Sequence, residues 1–562
     1  MAQAVTIKGM LVQTCRDCPD SVALRFKRDG RWQTLAYSGL LSNSRAVSSL
    51  LCSRGTRIGE RVGIFLENCP EWPEIYFGIV CAGMTAVPMD AKLREQEVSH
   101  ILRDAGCRTV FLSSRTYRVF RETEAALPHI ARAVVINMNE IEPVAAGRIE
   151  HLDYAESLAA AATQKGDRHA GFDRHDPTGD ETASIIYTSG TTGLQKGAML
   201  THRNFCANVN SCIGAIHIKP SDNFLMVLPL HHAFSFTVNL LIPVAIGAQI
   251  SFVENLKTIG ENIREVSPTV LVAVPLLVEK IYTRIMDGLR RKRAVYWLFK
   301  SGLRAPVRRG IIKKLGGRLR MVVVGGAPTP VDVLNGLSHL GIPILEGYGL
   351  TETSPVLTFN PPEKPKPGTV GKAIPDVEIR ISDPDGAGVG EITARGPNVM
   401  AGYFNKPRET ETVLRDGWFH TGDLGSLDQD GYLVISGRKK NLIVNREGKN
   451  IYPEEVEDCI VKSPLILEAV VFGYREAGET GERVGLIVVP DQDGLDAWTA
   501  RKKKLPSDEE IAELIRAEVR KCVASIAEYK RPRRIQIRTE EFEKTATGKI
   551  KRYLYAISPT EI

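Results

Sequence analysis

The residues best suited to chemistry lie between Ile185 and His202, in IIYTSGTTGLQKGAMLTH. A short apolar strand, Ala183 to Tyr187, runs into a loop of small and hydroxylated residues, and a helical pattern is expected after it. Gly190, Gly193 and Gly197 let backbone amides approach a ligand, and Thr188, Ser189, Thr191 and Thr192 add hydroxyl donors. Lys196 adds a positive charge. The combination suits a polyphosphate, whose charge is spread over oxygens that amides, hydroxyls and an ammonium can all reach. The order differs from the common nucleotide loop, which needs Gly-Lys-Ser/Thr, because Lys196 precedes its glycine. A flexible Gly/Thr surface loop is the plain alternative, and its position directly after a buried strand argues against it.

The elements around this loop alternate. Val62 to Phe65, Ala86 to Met89 and Thr109 to Leu112 read as strands, with a helix over Glu71 to Cys81. Further strands are expected at Phe224 to Leu228, Gln249 to Phe252, Val270 to Val274 and Met321 to Val324, with helical segments between them. Such alternation predicts a mostly parallel α/β sheet. From about residue 364 the texture becomes β-rich, with strands at Val377 to Ile381 and Gly390 to Arg395. The last 120 or so residues form a unit of their own. It has strands at Ala469 to Phe472 and Val484 to Val489, and an amphipathic helix through Ile511, Leu514, Ile515, Val519, Cys522 and Ile526.

The chain has 562 residues, 43% hydrophobic and 25% charged, which requires more than one core and fits a soluble globular protein. A net charge of +7 is small for this length and does not imply nucleic acid. No secretory signal and no uninterrupted 18-residue apolar run is visible, so a cytoplasmic location is expected. The ten cysteines form no framework, and the lone pair Cys15 and Cys18 reads as packed reduced thiols rather than a zinc site. Residues 290–320 hold twelve Arg/Lys and no acid, with an apolar face through Val295, Leu298, Phe299, Leu303, Val307, Ile311 and Leu315. That pattern fits either a solvated helix whose apolar side joins the core or a peripheral contact with an anionic membrane surface.

Six further motifs accompany the loop: LPLHHAFSF (228–236), VVVGGAP (322–328) running to EGYGLTE (346–352), WFHTGD (418–423), GRKKNLIVNREGKNIYPEEVE (437–457) and KTATGKIKR (544–552). In this order the set resembles the adenylate-forming (AMP-binding) acyl-CoA synthetase family over nearly the whole chain. GRKKNLIV, GKNIYP and HHAFSF are most similar to its medium- and long-chain fatty acid:CoA ligases. The resemblance implies a large N-terminal adenylation core (1–437) of α/β subdomains plus a β-rich subdomain. A hinge (438–440) and a small mobile α+β C-terminal domain (441–562) complete the expected architecture.

The implied cosubstrates are ATP with Mg²⁺, a fatty acid and coenzyme A. The acid attacks the α-phosphate to give an acyl-adenylate and pyrophosphate, and the CoA thiol then displaces AMP. The loop from Thr188 through Ser189, Gly190, Thr191, Thr192 and Gly193 to Lys196 would hold the β- and γ-phosphates, with Thr188 and Glu352 on the metal. Tyr348 would stack on adenine beside Gly326, Ala327 and Gly349, and Thr351 would meet the α-phosphate. Asp423 would accept from the ribose, with Arg438 as a fixed charge nearby. His232, which alone would read as a core histidine, would sit beside the reacting carboxylate, a role not extended to His231. Lys549, which alone would read as a solvated tail lysine, would bridge carboxylate and phosphate in the first step. Lys440 would be the hinge, and Gly448 would admit the pantetheine arm in the second step.

Three departures stand out: Gln195 where the loop usually has proline, Glu447 where a glycine often precedes Gly448, and Glu543 before Lys544 where proline is usual; Phe236 also stands where some long-chain members carry a gating tryptophan. Two other readings stay open at this point. One is an acyl- or aryl-adenylating enzyme that loads a carrier protein in trans. The other is an inactive nucleotide- or lipid-binding homologue. A homodimer is compatible with any of them.

Overall fold

The computed structural model describes residues 4–142, 147–163, 170–188, 195–292, 297, 304–476, 481–502, 507–544 and 550–555. The fold is α/β, with helices alternating with strands through most of the chain. Packing divides it into two compact units, Met1–Ile379 with Ala394–Phe419, and Arg380–Thr393 with His420–Ile562.

The first unit holds two large sheets. In the eight-stranded sheet the strands run in the order 402–403, 196–201, 182–188, 85–89, 61–65, 109–113, 132–136, 150–153. Strands 61–65, 85–89, 109–113 and 132–136 pair in parallel. Thr85–Met89 and Thr109–Ser113 are buried at every residue. Both of their faces are covered, which is why they read as continuous apolar runs rather than alternating ones. The nine-stranded sheet runs 372–373, 356–359, 344–349, 321–324, 270–273, 223–226, 249–252, 22–28, 31–36. One apolar cluster joins the two sheets, and helix Glu71–Val80, buried from Trp72 to Val80, belongs to it. A helix this apolar, whose residues from Trp72 on are all buried, has to be enclosed by its neighbours, Glu74 being its one buried charged residue.

One local expectation is corrected. The helical pattern expected after the loop is preceded by a strand, Lys196–Thr201, and the helix His202–Ala215 begins only after that. The strand pairs antiparallel with Thr182–Thr188, bringing Thr188 opposite Lys196. Short apolar runs carry too few residues to separate the two periodicities, and here pairing with a preformed neighbour wins.

The helix then starts on a capping box. Thr201 Oγ1 accepts from Asn204 N at 3.1 Å, and Asn204 Oδ1 accepts from Thr201 N at 2.8 Å. Asn204 Nδ2 also donates to the carbonyls of Pro397 and Val399, both at 2.8 Å. This anchors the segment leading to Gly402–Tyr403, which pairs with Met199 and Ala198 at the sheet edge.

In the second unit, strands 466–474, 483–490 and 534–537 form a three-stranded sheet. Helices Pro453–Ile460 and Asp508–Cys522 pack on it around Ile460, Val471, Leu486, Ile515 and Val519. Strand His420–Leu427, the unit's portion of 418–427, pairs antiparallel with Leu433–Arg438. The expected hinge at 438–440 begins on Arg438, the last residue of this pair, and continues into the short 3₁₀ turn Lys439–Asn441.

The basic stretch is described only in part, since 293–296 and 298–303 lie outside the described residues. In helix Arg304–Lys314, Val307 and Ile311 are buried against Leu289, Leu337 and Ile342, so this part of the apolar face joins the core. Among the described residues no helix is long and apolar enough to cross a membrane.

Candidate active site

The loop proposed to hold phosphate joins two antiparallel strands in the chain, Thr182–Thr188 and Lys196–Thr201. Ser189, Gly190, Thr191, Thr192 and Gly193 lie outside the described residues, and the two flanks carry the rest. On one flank Thr188 Oγ1 lies 3.5 Å from the Lys196 carbonyl. On the other, His100 Nε2 is 3.1 Å from the carbonyl of Gln195, the residue that replaces the usual proline. Tyr187 donates its hydroxyl to Asp104 Oδ2 at 2.6 Å, a second tie to the helix Glu95–Asp104.

Lys196 points its ammonium over the ring of Tyr403, 5.5 Å from the centroid. Tyr403 in turn donates its hydroxyl to Glu352 Oε1 at 2.7 Å. The Glu352 carbonyl accepts from Met400 N at 2.8 Å, so both ends of the residue are tied to the segment before Tyr403. Two predicted functional groups, far apart in sequence, therefore meet through one aromatic residue that sequence reasoning missed. A lone Gly-Tyr pair carries no chemical signal that would have found it.

Gly325 and Gly326 follow strand Met321–Val324, and Gly326 adopts φ +90° there. Tyr348 lies on strand Ile344–Gly349, in register with Thr358 of an antiparallel neighbour. A Cβ at Gly349 would stand 1.8 Å from the Pro355 carbonyl oxygen, so the turn into Thr351–Thr353 needs a residue without a side chain. Ala327 is exposed, and Tyr348, Gly349 and Thr351 are half-buried. Burial raises the Glu346 carboxyl, one turn of the pleat earlier, to about 7.

His231 and His232 lie before helix residues Ala233–Ser235, with their Nε2 atoms 3.0 Å apart. His231 is buried, and burial first, then the neighbouring His232 and Lys92 charges, push its basicity well below the usual histidine range. Asp90 Oδ2 is 3.7 Å from His231 Nε2, too far for a hydrogen bond. One turn on, Phe236 is buried among Trp72, Tyr76 and Phe205, with ring centroids 5.9, 4.5 and 5.1 Å away.

The second unit carries the remaining predicted residues. Asp423 and Arg438 are opposite each other on paired strands, and Arg438 Nε lies 2.6 Å from Asp423 Oδ1. Asp423 is buried, and its amide donates to Thr421 Oγ1 at 3.1 Å. The exposed Lys440 is shifted below the usual lysine range by partial desolvation of its ammonium, then by the charges of Arg438 and Arg552. Gly448, at φ +73°, closes a turn in which Asn445 Oδ1 accepts from Glu447 N and Lys449 N at 3.0 and 2.9 Å. Glu447, in place of the usual glycine, pairs with Lys449 at 2.9 Å. Lys549 lies outside the described residues; its neighbour Ile550 bridges back to Lys544.

The described donor set fits a hard cation. Glu352 Oε2 has no hydrogen-bond partner among the described residues, and Thr188 offers a hydroxyl oxygen. One carboxylate and a hydroxyl are few protein ligands, which suits Mg²⁺ carried largely by phosphate and water.

The model of the AMP-binding enzyme family matches residues 11–404, and that of the AMP-binding enzyme C-terminal domain matches 455–549. The chain belongs to the AMP-binding enzyme family. Among AMP-binding enzymes of known name, it is 29% identical to the long-chain-fatty-acid--CoA ligase FadD15 of Mycobacterium bovis, over 98% of this chain and 95% of that one. It is 28% identical to the long-chain-fatty-acid--CoA ligase of Bacillus subtilis, over 97% and 93%. Among solved structures, ATP-bound MatB from Rhodopseudomonas palustris superposes with a TM-score of 0.77 at 25% identity, covering 98% of both chains.

Proposed function

We propose that this AMP-binding enzyme is an ATP-dependent fatty acid:CoA ligase, forming an acyl-adenylate and then the CoA thioester with release of pyrophosphate and AMP. The observation that carries the reading is that Lys196 and Glu352 both contact Tyr403, one at its ring and the other at its hydroxyl. A cation and a carboxylate held by one residue suit a metal-bound triphosphate whose pyrophosphate leaves. The names of the two curated relatives support a fatty acid as the substrate. Thr188 and Glu352 would ligate Mg²⁺, which supplies charge neutralisation at the phosphates when bound. His232 would face the acid, Tyr348 the adenine, and Asp423 the ribose.

Lys549 would act in adenylation, with 438–440 as the hinge and the Gly448 turn serving the thioester step. We also infer a cytoplasmic location with electrostatic contact to an anionic membrane surface. Arg291, Lys292, Arg308, Arg309, Lys313, Lys314 and Arg318 are exposed and make no ion pair among the described residues, and Trp297 is 67% exposed. The decisive assay is fatty-acid-dependent exchange of labelled pyrophosphate into ATP, followed by CoA-dependent release of AMP. Exchange without a CoA requirement for release would indicate a carrier protein as acceptor, and absence of exchange would indicate a binding protein.

A further inference from the structure

Tyr403 lies where two functional groups from different parts of the first unit converge, and neither the motifs nor the family match assigns it a task. Several contacts among the described residues set its position. Its hydroxyl donates to Glu352 Oε1 at 2.7 Å. Its ring carries the Lys196 ammonium at 5.5 Å. Its own amide donates to Thr410 Oγ1 at 2.9 Å, while register with Ala198 sets it beside the strand that Lys196 opens. The backbone before it is specialised as well: Gly402 adopts φ +145°, and a Cβ there would stand 2.8 Å from Thr410 Cγ2.

We propose that Tyr403 is a positioning residue that couples the metal-binding carboxylate to the phosphate-binding lysine. The inference rests on the reading of Glu352 as the metal ligand and Lys196 as the phosphate cation. A glutamate side chain has several rotatable bonds, and aiming it at a metal costs rotamer entropy unless another group already holds it. The phenol does so by occupying Oε1, which leaves Oε2 as the coordinating oxygen. Hydrogen bonds of this kind to a metal's ligands set both orientation and affinity. The ring face meanwhile holds Lys196 by its quadrupole without neutralising it, as a carboxylate partner would. The lysine therefore keeps its full charge for the phosphates.

The two halves of the task separate by substitution. Tyr403→Phe keeps the ring and removes the hydroxyl, whereas Tyr403→Leu removes both. ATP binding is measured by calorimetry on the full chain without fatty acid or CoA, so that no turnover occurs, once in EDTA and once across a Mg²⁺ series. For Tyr403→Phe we expect unchanged ATP affinity in EDTA and about a tenfold higher Mg²⁺ requirement. For Tyr403→Leu we expect the same metal defect plus about a threefold loss of affinity in EDTA. Glu352→Gln, run in parallel, tests the underlying reading.

If Glu352→Gln raises the Mg²⁺ requirement and Tyr403→Phe does not, the coupling role is overturned while the metal ligand stands. If Glu352→Gln leaves the Mg²⁺ requirement at the wild-type value, the ligand reading and the inference built on it both fall. A Tyr403→Phe defect equal in EDTA and in Mg²⁺ would mark a general packing loss and would also overturn the proposal.

Discussion

His231 and His232 face each other through their Nε2 atoms at 3.0 Å, with ring centroids 4.0 Å apart. One ring must donate and the other accept, so the tautomers of the two rings are coupled. On the proposed function, His232→Ala lowers acid-dependent pyrophosphate exchange about a hundredfold, and His231→Ala about tenfold. ATP binding in the absence of acid stays at the wild-type value in both. Because His231 is held neutral well below its usual range, it adds no ionisation to the pH–rate profile near neutrality. An inert His231→Ala would show that the pair is packing alone.

Lys549→Ala separates the two half-reactions. Its charge is needed only while the carboxylate attacks the α-phosphate, so exchange falls by about two orders of magnitude or more. Conversion of supplied acyl-adenylate to thioester continues within a fewfold of wild type. Equal loss in both assays would remove the basis for a hinge that serves two steps.

Glu74 predicts a pH dependence of stability. Its carboxylate accepts from Asn43 Nδ2 at 2.7 Å and from the Tyr154 hydroxyl at 3.0 Å, and burial raises it to about 7. The folded protein therefore holds a proton that an unfolded glutamate releases between about 4.5 and 7. This contribution is fully present below about 4.5 and is lost as the pH rises through about 7. Urea unfolding of Glu74→Gln should show a flatter decline from about pH 5 to 8, with up to about 3 kcal/mol gained at the upper end. A slope identical to wild type would contradict the assignment. Glu346 and Glu457, also raised to about 7 by burial, keep part of the slope in either protein.

Replacing Arg308, Arg309, Lys313 and Lys314 with glutamine tests the membrane surface. Each basic group near an anionic bilayer contributes about 1 kcal/mol, so co-sedimentation with phosphatidylserine-containing vesicles should fall by more than tenfold. Wild-type binding should also weaken with added salt. Sedimentation unchanged by the substitutions would make the stretch an ordinary solvated face.

Phe236 is enclosed by Trp72, Tyr76 and Phe205, so Phe236→Ala leaves a cavity and costs about 3–5 kcal/mol on denaturant unfolding. A loss below about 1 kcal/mol would show that the ring is not part of the core packing.

Much was legible from local pattern. The buried parallel strands and the helix Asp508–Cys522 appear in the sequence as apolar runs and periodicities. Local composition is enough for these because each depends on residues within a few positions of one another. The strand Lys196–Thr201 was not legible, since six residues fit either period until a neighbouring strand selects one. Nor was Tyr403, whose importance comes from Glu352, 51 residues earlier, and from Lys196 on an adjacent strand. The resemblance placed Arg438 near Asp423, and their direct ion pair exists because two strands pair in one register. Chemistry that depends on residue type was written along the chain. Which groups meet, and which one orients another, followed from sheet register and from the cap that ties Asn204 to the segment before Tyr403.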